Sequence, residues 1–139
     1  MATLQEAISQ IQAEVKGISG IREAPETPPE SINQFPFAIC FARTGEYRIG
    51  PAQVMTGLHT IVLELHVARK DLTRDVPTAM KYAKSIPLTI MEALFEGTLT
   101  AISTLERIRY EFGPLNWGAT ETIGFRFYIE GVKTQDTIE

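Results

Sequence analysis

One cysteine, one tryptophan and two histidines are all that this chain of 139 residues has of several side chains that often carry chemistry. The lone cysteine, Cys40, excludes an intramolecular disulfide, and its place in the apolar run FPFAICFA makes it a buried, reduced thiol with a packing role. No stretch approaches the roughly 20 apolar residues of a membrane-spanning helix. The start, MATLQEAISQIQAEV, has neither a basic leader nor an apolar signal core, so the chain is expected to be made and used in the cytoplasm. A Gly-rich phosphate loop, a GxSxG elbow, an HExxH helix and a paired-cysteine motif are all missing. Basic charge is short too. With 13 Lys and Arg against 17 Asp and Glu, the net charge of -4 argues against a protein that coats nucleic acid, an affinity that is largely electrostatic.

What is present reads as one domain over residues 1 to 139, long enough to bury roughly two-thirds of its unfolded surface without a covalent staple. Leu4, Ile8, Ile11, Val15 and Ile18 recur at helical spacing, and Thr3 with Glu6 forms a capping box, so an amphipathic helix is expected over residues 4 to 16, ended by Gly17 and Gly20. Pro25, Pro28 and Pro29 among Glu23, Glu26 and Glu30 forbid helix and ladder alike, which makes an extended arm at about residues 22 to 35. Such an arm is either a surface linker or a contact for a partner.

Phe35, Phe37, Ile39 and Phe41 then alternate with Pro36, Ala38, Cys40 and Ala42, a strand with large side chains on one face and small on the other. A turn at Thr44 and Gly45 is expected to lead into a short second strand over residues 46 to 49, interrupted by Gly50 and Pro51; residues 52 to 57 fit no pattern. Residues 58 to 69 carry the longest strand signal. Ile61, Leu63, Leu65 and Val67 point one way and Thr60, Val62, Glu64, His66 and Ala68 the other. A strand this long either projects as a hairpin or pairs across a subunit boundary, or else curves within one sheet.

Asp75 is expected to cap a second helix running to about Phe95, with Pro77 in its first turn, a kink or break at Pro87, and Gly97 as its stop. Val76, Met80, Ala83, Pro87, Ile90 and Leu94 define its apolar stripe. Two antiparallel strands close the chain around a Gly/Pro/Asn/Trp connection. Ile123, Phe125, Phe127 and Ile129 form one face of the last, while Ile108, Tyr110 and Phe112 oppose Arg107, Arg109 and Glu111 in its partner. The fold class is α+β: a mostly antiparallel sheet of four to five strands with two amphipathic helices on one face.

Glu64 and His66 share a strand face and are the one pair with the chemistry of a metal ligand set or an acid/base couple. His59, seven residues from His66, falls on the opposite face unless a bulge intervenes, and no third ligand stands at a recognisable spacing, so no metal and no cofactor is expected. The run Arg69, Lys70, Asp71, Arg74 and Asp75 mixes signs on a loop, as a solvated cap or a subunit contact would. Trp117, between turn residues, is either a lid on the domain's own core or an interface anchor.

Two stretches, LHTIVLELHVARKDL before a helix and RYEFGPLNWGATETIGFRFYIEGV after it, resemble the tail terminator (tail completion, head-tail joining) proteins of long, non-contractile-tailed bacteriophages. The resemblance implies a non-enzymatic subunit of a homohexameric ring in the neck of the virion, assembled in the host cytoplasm. Its partners would be itself, the tail tube protein and a head-tail connector or head-completion protein, with DNA passing through the lumen without specific binding and no membrane involved. The residues expected to meet them are Tyr47 and Arg48 at a hairpin tip, Arg69, Lys70, Asp71, Arg74 and Asp75 on the charged loop, and Trp117. The alternatives are another neck component, or a small cytoplasmic enzyme or ligand-binding domain built on Glu64 and His66.

Overall fold

A computed structural model describes residues 3–69 and 72–137. The first helix, α1 (Leu4–Lys16), starts where its cap predicts: the Glu6 amide donates to Thr3 Oγ1 at 3.1 Å, satisfying one of the orphan donors of the first turn. Four strands follow the arm, β1 (Phe37–Ile49), β2 (Val54–Ala68), β3 (Arg107–Trp117) and β4 (Thr120–Thr137), all antiparallel and ordered β1-β2-β4-β3. Helices α2 (Leu72–Met80) and α3 (Tyr82–Phe95) connect β2 to β3. The architecture is α+β.

The expected turn at Thr44 and Gly45 is not a turn. β1 runs straight through it, with one extra residue, Arg43, inserted where the register against β2 shifts between Ala42 and Thr44. A Gly in a strand signals a bulge as readily as a reversal, and here the bulge wins because residues 44–49 have a full partner in 55–60. The reversal lies later, at Pro51–Gln53, so the unpatterned residues 54 to 57 are the start of β2. The closing connection also shrinks. Pro114 sits in β3, an edge strand, where a missing N–H breaks no ladder bond, and only Gly118 and Ala119 separate the paired Trp117 and Thr120. Gly118 has φ of 59°, the left-handed backbone that two-residue hairpin turns require.

The second helical element begins at Leu72, which puts Asp75 inside its first turn rather than at the cap. Its interruption falls at Lys81, and Pro87 lies within α3, where the burial of Ile86 and Ile90 on either side holds the helix despite the deleted bond. The buried stripe is Ala79, Tyr82, Ile86, Ile90 and Ala93, turned from the expected one, so that Met80 is exposed. Gly97 ends α3 as predicted. Thr98 N–H donates to the Ala93 carbonyl at 2.9 Å and Gly97 N–H to that of Leu94 at 3.2 Å, with Gly97 at φ 81°. Gly97→Ala should therefore lower stability by about 1 kcal/mol through backbone strain alone, since a Cβ there meets no atom within 4 Å; urea unfolding measures it, and an unchanged midpoint would reject this ending.

The core lies between the helices and one face of the sheet. Ile61, Leu63, Leu65 and Val67 of β2 stand beside Ile123, Phe125, Phe127 and Ile129 of β4, against Ile11 and Val15 of α1 and Ile86 and Ile90 of α3. The small residues of β1, Ala38 and Cys40, face these helices too, whereas the large Phe37 and Ile39 are buried on the other side of the sheet. Burial pushes the Cys40 thiol well above its ordinary pKa, which leaves it protonated and unreactive.

Candidate functional site

The second face of the sheet divides into a closed end and an open end. At the closed end the arm folds back on its own domain. Arg22 and Glu23 amides donate to the Pro36 carbonyl, Ala38 N–H donates to the Glu23 carbonyl at 2.9 Å, and Glu23 Oε2 accepts from the Gln34 amide. Trp117 then fastens its middle. The indole N–H donates to the Pro29 carbonyl at 2.9 Å, and the ring stands 5.6 Å from Phe37 and 5.9 Å from His66. Trp117 thus has partners within its own subunit. Trp117→Phe keeps the ring and removes the donor, so it should cost about 1 kcal/mol and speed proteolytic cleavage near Pro29. Cleavage at the parental rate would mean the bond does not hold the arm.

Under this lid lies a polar chain of four residues. His66, fully buried, meets Thr122 Oγ1 through Nδ1 at 2.6 Å and Glu64 Oε1 through Nε2 at 2.9 Å; Glu64 Oε2 accepts from Arg126 Nε at 3.0 Å and Nη2 at 2.9 Å. An ionised carboxylate only accepts, so Nε2 carries the proton and Nδ1 accepts from the Thr122 hydroxyl in the neutral imidazole. Burial pushes the Glu64 pKa up, but hydrogen bonds from His66 and Arg126 outweigh it and hold the carboxyl below its ordinary 4.5. The predicted pair does come together, yet every polar atom of its side chains is engaged by the protein. Among the described residues no group of three or more His, Cys, Asp or Glu is placed to hold a metal.

His59 stands apart from this chain. The regular alternation of β2 sets it opposite Gly45 and Val132, with Nε2 3.1 Å from Thr134 Oγ1 and its ring edge-on to Tyr47 at 5.2 Å. Burial lowers its pKa.

The open end carries the charges. Arg43 and Arg109 lie over the Tyr128 ring at 5.2 and 4.0 Å, while Glu130 pairs with both Arg107 and Arg109. The hydrogen bond from Arg107 depresses the Glu130 pKa. Sequence reasoning gave no site role to Arg43, Arg109, Thr122, Arg126 or Tyr128. Strand parity puts Thr122, Arg126 and Tyr128 on one face of β4, but the meeting of Arg126 with Glu64 and of Thr122 with His66 depends on the β2-β4 register, which neither strand encodes alone.

No protein-family model matches the chain, and no curated protein matches it either. Among the described residues no helix is long and apolar enough to cross a membrane. Of the residues expected at subunit contacts, Tyr47 and Arg48 lie in β1 on a three-stranded extension, not at a hairpin tip. There residues 44–49 pair with 55–60, residues 54–59 pair with 132–137, and residues 42–49 are all exposed, Tyr47 at 53% and Ile49 at 79%. Arg69 and Arg74 are exposed, and Arg74 pairs with Asp75 at 3.5 Å. Lys70 and Asp71 lie outside the described residues.

Proposed function

We propose that this chain is a structural virion protein of the tail-terminator kind, which caps the head-proximal end of a phage tail tube as a homohexameric ring, stops polymerisation and offers a surface to the head. The observation that carries this reading is the three-stranded extension, an exposed slab of sheet that presents Tyr47, Ile49 and Leu58 to the surroundings. Exposed aromatic and aliphatic side chains on a rigid ladder suit assembly, where a few large anchors supply most of the binding energy. The polar chain supports the same reading from the other side. His66, Glu64 and Thr122 are engaged by one another and by Arg126, which leaves the buried His66 and Glu64 no free polar atom to meet a substrate.

The two stretches that carry the resemblance form the second half of β2 with the start of α2, and the β3-β4 hairpin. In this reading the tube protein and the connector or head-completion protein occupy the two ends of the ring, and DNA passes through its lumen. Immunogold labelling of intact particles with antibody to this chain should decorate the neck, between head and tail. Label on the tail tip, along the tube or spread over the capsid shell would reject the assignment, and label at the single tail-joining vertex of tailless heads would transfer it to a head-completion protein.

A further inference from the structure

The two free edges of the sheet run in opposite directions, because β1, β2, β4 and β3 follow one another antiparallel. A second copy added with its helices on the same side therefore brings its β3 antiparallel to β1. We propose that the β1 edge over residues 40–49 pairs with the β3 edge of a second copy, continuing the sheet from subunit to subunit. The pairing follows from the sheet itself and stands whether or not the assembly caps a tail.

The β1 edge is already used as a strand acceptor at its start. Ala38 turns its N–H and C=O outward, to the Glu23 carbonyl and to Gln12 Nε2 at 2.7 Å. Alternation turns Cys40 and Ala42 outward as well, and the bulge at Arg43 shifts the outward set to Gly45, Tyr47 and Ile49, consistent with the Gly50 N–H closing the turn on the Val54 carbonyl. Among the described residues no hydrogen bond from another element reaches the main chain of these five. Beside them the arm swings away and leaves a groove of 540 Å³ lined by Leu4, Ile8, Pro28, Cys40, Phe41 and Ala42. An unpaired edge of this length, interrupted by the one bulge at Arg43, is a template for another strand.

β3 has the complementary character. Tyr110, on its helix-side row, is 53% exposed although its ring touches Phe125 and Phe127. With Tyr110 of the second copy opposite Ala42, the ring enters the apolar groove. The same register sets Arg107 of the second copy opposite Glu46, and Glu111 opposite Phe41 and beside Arg43, which has no carboxylate partner among the described residues. Opposite charges then meet across the new ladder at these two places, and Arg109 of the second copy falls opposite the bulge at Arg43 and Thr44, between Glu46 and its own Glu111. A heterologous contact of this kind closes into a ring when its rotation permits.

Two single variants test this, Glu46→Cys and Arg107→Cys, which face each other in this register, each with its own affinity tag and the native Cys40 left in place because it is buried. Treated with a short bismaleimide, the mixture should yield a dimer band containing both tags while each variant alone yields none. Tyr47→Pro in the Glu46→Cys chain removes one outward N–H and no bond within the subunit; it should abolish that band with the circular dichroism unchanged. Bands from either variant alone would replace this pairing by a two-fold β1-β1 or β3-β3 contact. No mixed band at the highest soluble concentration, or a mixed band indifferent to the proline, overturns the proposal. Absence of the mixed band from the two cysteine variants without the proline, in a protein that still labels the virion neck, would reject the pairing and leave the functional reading standing.

Discussion

Glu64→Ala should destabilise the protein by about 3–5 kcal/mol at neutral pH, a loss set by what the deletion leaves behind rather than by the net value of the pair. Arg126 can recover water, because its side chain is 38% exposed. His66 cannot: it is fully buried between Phe37 and Trp117, and its Nε2–H would face no acceptor. Replacing Glu64 by Met and His66 by Leu together should cost far less than Glu64→Ala, since both partners of the buried bond then disappear. Urea unfolding gives these differences directly. A single variant within about 1 kcal/mol of the parent would show that the chain of hydrogen bonds is not a structural element.

The same chain sets the acid sensitivity. Glu64 has a folded pKa held below 4.5, so its contribution is present above 4.5 and is lost as pH falls through the lower folded value. His59 adds an earlier step: burial depresses its folded pKa below 6.5, the unfolded chain takes up the proton first, and stability declines as pH drops below 6.5. Stability should thus be flat from pH 7 to 8 and fall in two stages on acidification. Glu64→Gln should shrink the lower stage, to which the depressed Glu130 also contributes, and leave the upper one.

Phe127→Ala is expected to cost about 3–5 kcal/mol and to unfold a marginal domain near body temperature. Phe127 has no exposed surface, stands between Leu63 of β2 and Tyr110 of β3 in the ladder, and stacks on Phe125 at a centroid distance of 5.4 Å. Its neighbours are fixed by two strands and a helix layer, so the void cannot collapse. Thermal unfolding followed at 222 nm would read a large fall in Tm, and a fall of less than about 5 °C would mean that the core repacks around the gap.

Local signals carried far in this chain. The Thr3 cap, the alternation of β4, the stop at Gly97 and the α+β layering follow from periodicity and from residues with special backbone needs. Where local signals are shared by two outcomes, the wrong one was legible. Thr44 and Gly45 suit a turn or a bulge, and only the length of the opposing strand decides between them. Pro114 reads as a loop residue until β3 is known to be an edge. The second helix was misphased because Met80 and Pro87 fit an apolar stripe as well as Tyr82 and Ile86 do, and tertiary contact chose the latter. The Glu64 and His66 pair was visible from spacing two on a strand, whereas Thr122 and Arg126 come from a strand more than fifty residues later, reached through the β2-β4 register. The fastening of Trp117 to Pro29 is likewise a contact between distant segments that no local pattern announces.

The central proposal, that this chain ends tail growth, is tested most directly by deleting its reading frame from its parent genome. Electron micrographs of the lysate should then be scored for tail length and head attachment in the same fields. The account predicts headless tails of uncontrolled, excessive length beside filled heads. Tails of normal length that fail to join heads would make the chain a connector, and intact particles in normal numbers would contradict a role in tail assembly altogether.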